Sequence, residues 1–284
     1  MKRKSNQVTG LPHTIRKIVV RITLIVTAIV ASSLPPARAA ANNTLDQWLG
    51  AIPAVSAAGE AEWTQEGHDA QRTSYIAEEP QEPWTLAWSW NGPDANGGTG
   101  GHLTNIPAEA HTVTGGANVY APAGSAGLFA LSKASGAQAW RLTSPSFNAT
   151  PAYDPAGGFL YAGGADGKLY KINGATGQVS ATYTAGSPLN KAVLLVGGAA
   201  YVVTDSGELH KVNTSNMGRA WMYAAGSNGS TPPAFSAKAG LVVYATRDLN
   251  VHAVKDGDGA ALWKVKPTSR PAQDPYTFAG FWPV

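Results

Sequence analysis

Apolar and polar positions alternate along much of the chain, and this pattern predicts short β-strands. Residues 168–173 (KLYKIN) alternate polar and apolar, which is typical of a half-buried strand. Glycine-containing tetrapeptides stand on either side, at 164–167 (GADG) and 174–177 (GATG), and predict tight turns. Residues 158–162 and 178–183 complete a set of neighbouring strands. Helical periodicity is hard to find beyond residue 39, so an all-β body is predicted.

This strand-and-turn unit recurs about every forty residues. Its clearest marks are four tyrosines spaced 41, 40 and 43 residues apart, namely Tyr120, Tyr161, Tyr201 and Tyr244. The predicted repeats are residues 106–145, 147–184, 187–225 and 229–266. The predicted fold is therefore a β-propeller of four-stranded antiparallel blades. A β-sandwich is the alternative all-β arrangement, and the regular repeat argues against it.

The number of repeats predicts an incomplete propeller of about four to five blades. Residues 267–284 are interpreted as the start of a further unit or as a C-terminal tail. An open arc of blades leaves unpaired strand edges, which are liable to pair with other chains. The alternative is a small closed ring of four or five blades, in which residues 63–90 pair with the last blade.

Residues 1–39 have the organisation of a signal peptide. A basic region, 1–21, precedes an apolar run, 22–34, and cleavage is predicted after Ala39 because Ala37-Arg38-Ala39 matches the small-residue pattern. An uncleaved membrane anchor is the alternative, disfavoured because Arg21 would be costly inside a bilayer. Both readings predict an exported protein that is secreted, periplasmic or attached to the cell surface. Residues 40–61 are then a linker, and residues 62–284 the propeller.

The amino-acid composition excludes several kinds of functional site in the part of the chain after residue 39. The chain has no cysteine, which excludes a disulfide framework, a thiolate metal site and a cysteine nucleophile. Seven of its 21 Lys and Arg residues lie within positions 1–39, whereas all 18 Asp and Glu residues lie beyond them. The remainder therefore carries a net charge of −4 and no basic run, which gives no support for nucleic-acid binding.

Two stretches carry a family resemblance. Residues 130–140 (ALSKASGAQAW) and 253–263 (AVKDGDGAALW) share the pattern Ala-x4-[Ser/Asp]-Gly-x3-Trp. This pattern resembles the tryptophan-docking motif of pyrroloquinoline quinone (PQQ) enzyme repeats. The second repeat keeps Thr176-Gly177 but has Ala181 in place of the Trp. The third keeps Trp221 and has its glycine, Gly218, one place late.

The resemblance implies that each Trp packs between adjacent blades and that a glycine turn accommodates its ring. The residues to which it assigns this structural docking role are Trp140, Trp221, Trp263, Gly136, Gly177, Gly259 and the four in-phase tyrosines. Upstream, residues 63–75 (WTQEGHDAQRTSY) resemble the segment that opens many such propellers. Residues 85–90 (TLAWSW) resemble the outer strand of another blade.

The same resemblance leaves the function open, because this repeat serves dehydrogenases, assembly factors and sensor domains alike. A quinone dehydrogenase needs an Asp as general base and a Ca²⁺ held by six to eight oxygens. No clustered carboxylates stand in matching loops, so no catalytic residue, metal ligand or cofactor is predicted. The predicted function is a non-catalytic binding or scaffold module for a protein, polymer or surface partner. The alternatives are a PQQ-dependent dehydrogenase with calcium, whole or truncated, acting on alcohols or sugars, and an outer-membrane assembly scaffold.

Three further groups of residues could have a catalytic or metal-binding role, and each also has a structural interpretation. The sequence Asp256-Gly257-Asp258-Gly259 resembles the start of a calcium loop but lacks the closing glutamate, so it is predicted to be a turn. His68 and Asp69, if adjacent on a strand, would point to opposite faces and form a poor catalytic or metal pair. His210 and His252 share one repeat position with Tyr170, which favours packing over metal ligation.

Overall fold

The part of the chain that the structure describes is built from β-strands and turns, without a helix. The structure is a computed structural model that describes residues 62–77, 86–90, 92, 107 and 110–267. All of these residues fall within the unit Ala57–Val284. The predicted signal peptide with Ala37 and Ala39, the linker 40–61 and the tail beyond residue 267 lie outside the described residues.

In the described part of the chain, sixteen strands form four sheets, which are called blades 1 to 4. Blade 1 contains β1 (Val113–Gly115), β2 (Asn118–Pro122), β3 (Leu128–Ser132) and β4 (Gln138–Leu142). Blade 2 contains β5 (Ala152–Asp154), β6 (Phe159–Gly163), β7 (Lys168–Asn173) and β8 (Val179–Thr184). Blade 3 contains β9 (Leu194–Val196), β10 (Ala199–Val203), β11 (Glu208–Asn213) and β12 (Arg219–Ala224). Blade 4 contains β13 (Ala234–Ser236), β14 (Leu241–Ala245), β15 (Val251–Lys255) and β16 (Ala261–Val265).

Each blade is an antiparallel meander whose strands follow one another in chain order. The pairing between the third and fourth strands shifts register at the same place in every blade. The shifts lie between Ala130 and Leu131, Lys171 and Ile172, Lys211 and Val212, and Ala253 and Val254. The predicted all-β propeller of four-stranded blades is therefore confirmed, and β7 begins and ends at the predicted residues.

The four blades form an open arc within the described part of the chain, as predicted for an incomplete propeller. Neither residues 62–77 nor residues 86–90 join a sheet as a strand. The alternative of a small ring, closed by strand pairing between residues 63–90 and the last blade, is therefore wrong for the described residues.

The hydrophobic core lies between successive blades. The inner strands are buried, as β10 shows with five buried residues, whereas the fourth strands are mostly exposed. One core cluster joins blades 1 and 2, and a second joins blades 3 and 4. Because alternate residues of a strand face opposite sides of its sheet, blades 2 and 3 each pack against a neighbouring blade on both faces.

Candidate functional site

Residues 62–74, here called the inner-edge segment, cross the first strands of all four blades. The backbone N–H of the middle residue in each first strand donates a hydrogen bond to this segment. The four bonds run from Thr114 to Trp63 O (2.8 Å), Tyr153 to Thr64 O (2.7 Å), Leu195 to Gln65 Oε1 (3.0 Å) and Phe235 to Ala70 O (2.9 Å). One stretch of chain thus occupies donors that the inner edge of each sheet would otherwise leave unpaired.

The same segment contains a buried charged pair. Arg72 is 3% exposed, and its Nε donates to Pro233 O at 2.8 Å while its Nη1 donates to Glu66 O at 3.0 Å. The Glu66 carboxylate is also buried, and its Oε1 lies 3.9 Å from Arg72 Nη1. The guanidinium therefore links the segment to the residue before blade 4.

The inner-edge segment folds as tight turns. The φ angles of His68 (72°) and Arg72 (57°) are positive, which is uncommon for residues other than glycine. The prediction that His68 and Asp69 lie on a strand is therefore wrong, because the chain bends at Gly67. The Asp69 carboxylate instead accepts bonds from the backbone N–H and the hydroxyl of Thr73.

Burial sets the electrostatics of this segment. Desolvation lowers the pKa of Arg72 from its ordinary value, and the charges of Glu66 and Asp69 oppose that shift. Glu66 Oε1, His68 Nδ1 and Arg72 Nη2 are buried without a hydrogen-bond partner. The Glu66 and Arg72 side chains are closed to solvent, so we interpret this pair as the anchor of the segment.

Tryptophans dock at the junctions between blades in one recurring geometry. Trp140 Nε1 donates to Gly174 O in the next blade at 2.8 Å, and Trp221 Nε1 donates to Asp256 O at 2.8 Å. A Cβ placed on Gly177 would lie 2.7 Å from the Trp140 ring, and one on Gly259 would lie 2.8 Å from the Trp221 ring. Only glycine therefore allows this close approach, and it also permits the positive φ of the turn.

Trp88 makes the same contacts on blade 1, which the sequence pattern alone did not reveal. Its Nε1 donates to Lys133 O at 2.7 Å, and a Cβ on Gly136 would lie 2.6 Å from its ring. Trp90 packs on Phe129 with ring centroids 5.1 Å apart. The resemblance of the TLAWSW stretch, which contains Trp88, to an outer strand was the signal that could have revealed this role.

Trp263 differs from the other two predicted docking tryptophans. It lies on β16 and is 41% exposed, whereas Trp140 is 8% and Trp221 is 9% exposed. The expectation that its ring lies between two blades is therefore not met in the described part of the chain. The cause is that no described turn lies beyond blade 4 to receive it.

The four in-phase tyrosines are fully buried on the second strands of the blades. Tyr161 Oη donates to Thr214 O in the next blade at 3.4 Å, and Tyr201 Oη donates to the Asp256 carboxylate. Tyr120 Oη donates within its own blade to Gly115 O at 3.3 Å, whereas Tyr244 Oη reaches back to Gly207 O at 2.9 Å. Burial raises the pKa of all four phenols, so they remain neutral.

The junction between blades 2 and 3 lacks a tryptophan and compensates on both sides. Ala181 stands in the Trp position, and Met217, with φ 55° and 6% exposure, stands where the other turns have glycine. The two side chains belong to the same core cluster. Lys171 Nζ donates to Thr214 O at 2.7 Å, as Lys211 Nζ donates to Asp256 O at 3.1 Å beside Trp221.

We expect Ala181→Trp and Met217→Gly to be strongly coupled. Each single change should destabilise the protein, because an indole introduced at position 181 overfills the junction and removal of the Met217 side chain leaves a cavity. The double variant recreates the Trp-on-Gly pair of the other junctions and should recover about 1–3 kcal/mol relative to the sum of the single effects. Urea unfolding of the four proteins measures this. Additivity within about 0.5 kcal/mol would contradict the compensation.

Histidines form a second, parallel set of junction contacts. Tyr183 Oη and His210 Nδ1 lie 2.7 Å apart across blades 2 and 3, and Tyr223 Oη and His252 Nδ1 lie 3.0 Å apart across blades 3 and 4. Both histidines are buried, and desolvation is the main cause that lowers their pKa values below the ordinary value. Glu208 opposes this shift at His210, and Asp248 opposes it at His252. The packing interpretation of this repeat position is confirmed.

These lowered pKa values predict acid sensitivity. The folded protein holds both rings neutral, whereas the unfolded chain protonates them below its pKa of about 6.5. Stability is therefore full above about pH 6.5 and falls as the pH drops below it, by at most about 1.4 kcal/mol per pH unit for each histidine. Chemical unfolding between pH 8 and 5 measures this. The variant His210→Gln/His252→Gln should show a flatter profile, and an unchanged slope would contradict the assignment.

Asp256-Gly257-Asp258-Gly259 forms a turn, as predicted. Lys211 Nζ contacts Asp256 Oδ1 at 2.7 Å, and Asp258 Oδ1 accepts a bond from Ala260 N at 3.0 Å. Among the residues described, no three His, Cys, Asp and Glu side chains converge as a metal ion would require. The Asp256 and Asp258 carboxylates are therefore both bonded to protein groups in this turn.

An open cleft of about 370 Å³ lies at the junction of blades 2 and 3. It is lined by the turns between the first two strands of each of these blades, by Thr64 and Gln65 of the inner-edge segment, and by Thr214. Asp154 contributes a carboxylate, and Tyr153 and Leu195 contribute apolar surface. The cleft combines apolar walls with a few polar groups, as binding sites do.

Comparisons with known proteins place the repeat in a family. The family model described as outer membrane protein assembly factor BamB matches residues 125–277, more than half of the chain. No curated protein matches the chain. No helix in the residues that the structure describes is long and apolar enough to span a membrane.

Three solved structures are similar in fold. BamB from Moraxella catarrhalis has a TM-score of 0.48 and 22% identity, covering 54% of this chain and 47% of that one. Quinohemoprotein alcohol dehydrogenase ADHIIG from Pseudomonas putida HK5 has a TM-score of 0.59 and 15% identity, covering 75% and 40%. Quinohemoprotein alcohol dehydrogenase from Comamonas testosteroni has a TM-score of 0.59 and 16% identity, covering 76% and 42%.

This chain therefore spans less than half the length of each of these structures. At 15% and 16% identity, the likeness to the two alcohol dehydrogenases shows the fold alone. The repeated strands, the docking geometry and the family match agree with one another. The chain belongs to the family of PQQ-like-repeat β-propellers whose model is described as outer membrane protein assembly factor BamB.

Proposed function

We propose that this protein is an exported, non-catalytic β-propeller that binds a protein partner. The observation that carries the proposal is that the lysine and histidine side chains that recur from blade to blade are bonded to neighbouring blades. Lys171, Lys211, His210 and His252 each bond to a neighbouring blade. These side chains hold the blades together, so the recurring part of the chain serves as a scaffold and leaves the loops to make contacts.

The cleft between blades 2 and 3 is the contact point that we assign to the partner. Its size suits one or two side chains of a polypeptide, and its Asp154 carboxylate favours a basic group entering from solvent. The β9–β10 turn faces open space, since a Cβ on Gly197 would meet nothing within 4 Å. The family description names an assembly factor, which favours a protein partner over a small-molecule substrate.

The test uses a photo-crosslinking residue at Ala156, in the cleft, and the same residue at Ala237, in the corresponding turn of blade 4. Both positions are exposed. In the native host, position 156 should give a discrete adduct that position 237 does not give. Ala156→Arg should weaken binding to the purified partner at least about tenfold, while Ala237→Arg leaves it unchanged. Equal adducts at both positions would contradict the cleft assignment.

The non-catalytic part of the proposal has its own test. The protein is mixed with PQQ and Ca²⁺ and assayed for dye reduction with primary alcohols and aldose sugars. We expect neither saturable turnover nor quinone binding by titration. Cofactor-dependent turnover would overturn this part of the proposal in favour of the dehydrogenase alternative, whatever the crosslinking experiment finds.

A further inference from the structure

Two blade junctions of this chain follow one docking rule, and the junction between blades 2 and 3 departs from it with Ala181 and Met217. An outer strand presents a tryptophan, and the next blade presents a turn with a backbone carbonyl and a residue at positive φ. Trp140 and Trp221 dock in this way onto blades 2 and 4. At such a junction the strand with the tryptophan is the trailing half of the interface, and the turn of the next blade is the leading half. When one half has no partner, the rule therefore indicates which kind of surface would bind to it.

The trailing half on blade 4, the strand that carries Trp263, meets no turn of another blade among the described residues. All five residues of β16 are exposed. Trp263 and Val265 lie on the same face of this strand, because they are two residues apart, and they are 41% and 50% exposed. Their equivalents on β12, Trp221 and Tyr223, contact blade 4 through Asp256 and His252. The face of β16 therefore matches a docking face in sequence, and no turn in the described part of the chain covers it.

On blade 1, the turn that would receive a tryptophan from a preceding blade is covered by a short stretch of chain, here called the substitute segment. Residues 86–90 (LAWSW) place Trp88 on Lys133 O and Gly136, and Trp90 on Phe129. This stretch belongs to no sheet, and three of its five residues are exposed, including Leu86 at 85%. Aligned on the tryptophan, it corresponds to residues 261–265 (ALWKV) of β16, with Trp88 at the position of Trp263. It therefore occupies the place of a preceding blade's outer strand, and none of the described strands pairs with it.

We propose that two copies of this chain associate head to tail, with β16 of one copy docking on the blade 1 turn of the other. Trp263 of the first copy takes the place of Trp88 of the second, so residues 86–90 compete with the association. The argument for a second copy is that one chain carries both loose halves of the same recurring interface, while its own four blades stay open. Such a contact is heterologous, since it joins two different surfaces.

This inference is independent of the proposed cleft, because Asp154 and its neighbours lie at another junction. The inference also explains how an open set of four blades limits the exposure of its first and last blades. The substitute segment covers blade 1 in the free chain and is displaced on association. Releasing this segment from blade 1 costs free energy, which lowers the apparent affinity between the two copies.

The experiment is sedimentation velocity of the full chain over a wide range of concentration. We expect reversible association for the unaltered protein. Trp263→Ala should weaken it at least about tenfold, because a central buried indole is a hot spot. Leu262→Ala is the matched control, since Leu262 is exposed on the opposite face of the same strand, and it should leave the association unchanged.

The second variant tests the competition. Trp88→Ala should strengthen the association several-fold, and Trp88→Ala/Trp263→Ala should again be weak. Far-UV circular dichroism establishes that each variant is folded, and a synthetic peptide of residues 84–92 added to Trp88→Ala should reverse the gain. A monomer at every concentration for both the unaltered protein and Trp88→Ala would overturn the proposal. Association that is insensitive to Trp263→Ala, or unchanged by Trp88→Ala, would overturn it as well.

Discussion

Replacing Trp140 or Trp221 with alanine is expected to lower the free energy of unfolding by about 3–5 kcal/mol each, the range for removing a buried aromatic side chain. Each ring is more than nine-tenths buried and fills the space above a glycine turn of the next blade. Each indole N–H also satisfies a backbone carbonyl, Gly174 O or Asp256 O, which would lose that partner. Denaturant unfolding with tryptophan fluorescence and circular dichroism measures the effect.

Trp263→Ala supplies the matched control for this prediction. The residue type, the strand position and the repeat phase are the same, but the ring is 41% exposed. In dilute solution we expect a change within about 0.5 kcal/mol, as for surface substitutions. If Trp140→Ala also changed stability by less than about 1 kcal/mol, the junction tryptophans would not be core residues and the docking interpretation would fail.

Replacing Arg72 with alanine is expected to cost about 3–5 kcal/mol, because it leaves the buried Glu66 carboxylate without its compensating charge. The Arg72 side chain is 1% exposed and that of Glu66 is 4% exposed. The substitution also removes the donor to Pro233 O, which joins the inner-edge segment to blade 4. We therefore expect residues 62–74 to become more susceptible to proteolysis, with hydrogen exchange increasing first at the N–H of Phe235.

Two further variants separate the charge effect from the loss of packing. Glu66→Gln/Arg72→Met removes both charges and keeps similar volume, so it should recover a large part of the loss. Lys168→Ala breaks an exposed pair with Asp166, whose side chains are 43% and 30% exposed, and should cost about 0–1 kcal/mol. A loss at Arg72→Ala as small as that at Lys168→Ala would show that the buried pair does not anchor the segment.

Both predictions concern how the blades are joined, which matters for the proposed role in binding. A scaffold presents its loops reproducibly only if the blades keep fixed positions. The inner-edge segment secures the first strands, and the tryptophans and tyrosine–histidine pairs secure the outer part of the junctions. A variant that weakens either set should therefore reduce partner binding at the cleft even when Asp154 and Ala156 are unchanged.

Several features were predictable from the sequence because their causes are local. The alternation in 168–173 and the glycine turns on either side specify a strand and its ends within about ten residues. The spacing of the four tyrosines identifies the repeat, and the Gly-x3-Trp pattern identifies the turn that a docked indole needs. The phase shared by Tyr170, His210 and His252 likewise indicated packing.

Other features depended on contacts that no local pattern records. The sequence placed His68 and Asp69 on a strand, but the chain turns there because Gly67 and Arg72 adopt positive φ angles around a buried ion pair. The role of Arg72 rests on a carbonyl 161 positions away, at Pro233. Trp88 was visible as part of an outer-strand pattern, but its docking on blade 1 required the blade to be in place.

Local sequence was sufficient to specify the all-β repeat and the glycine turns that receive the rings of Trp140 and Trp221, since strand alternation and glycine backbone freedom act over a few residues. Which of the three in-phase tryptophans are buried depended instead on the packing of whole blades. A ring becomes core when the next blade covers it, and blade 4 has no described neighbour to cover Trp263. At the junction of blades 2 and 3, Ala181 and Met217 replace the Trp and Gly of the other junctions, and only the tertiary structure shows that these two replacements belong together. The two side chains come from different repeats and together fill one junction.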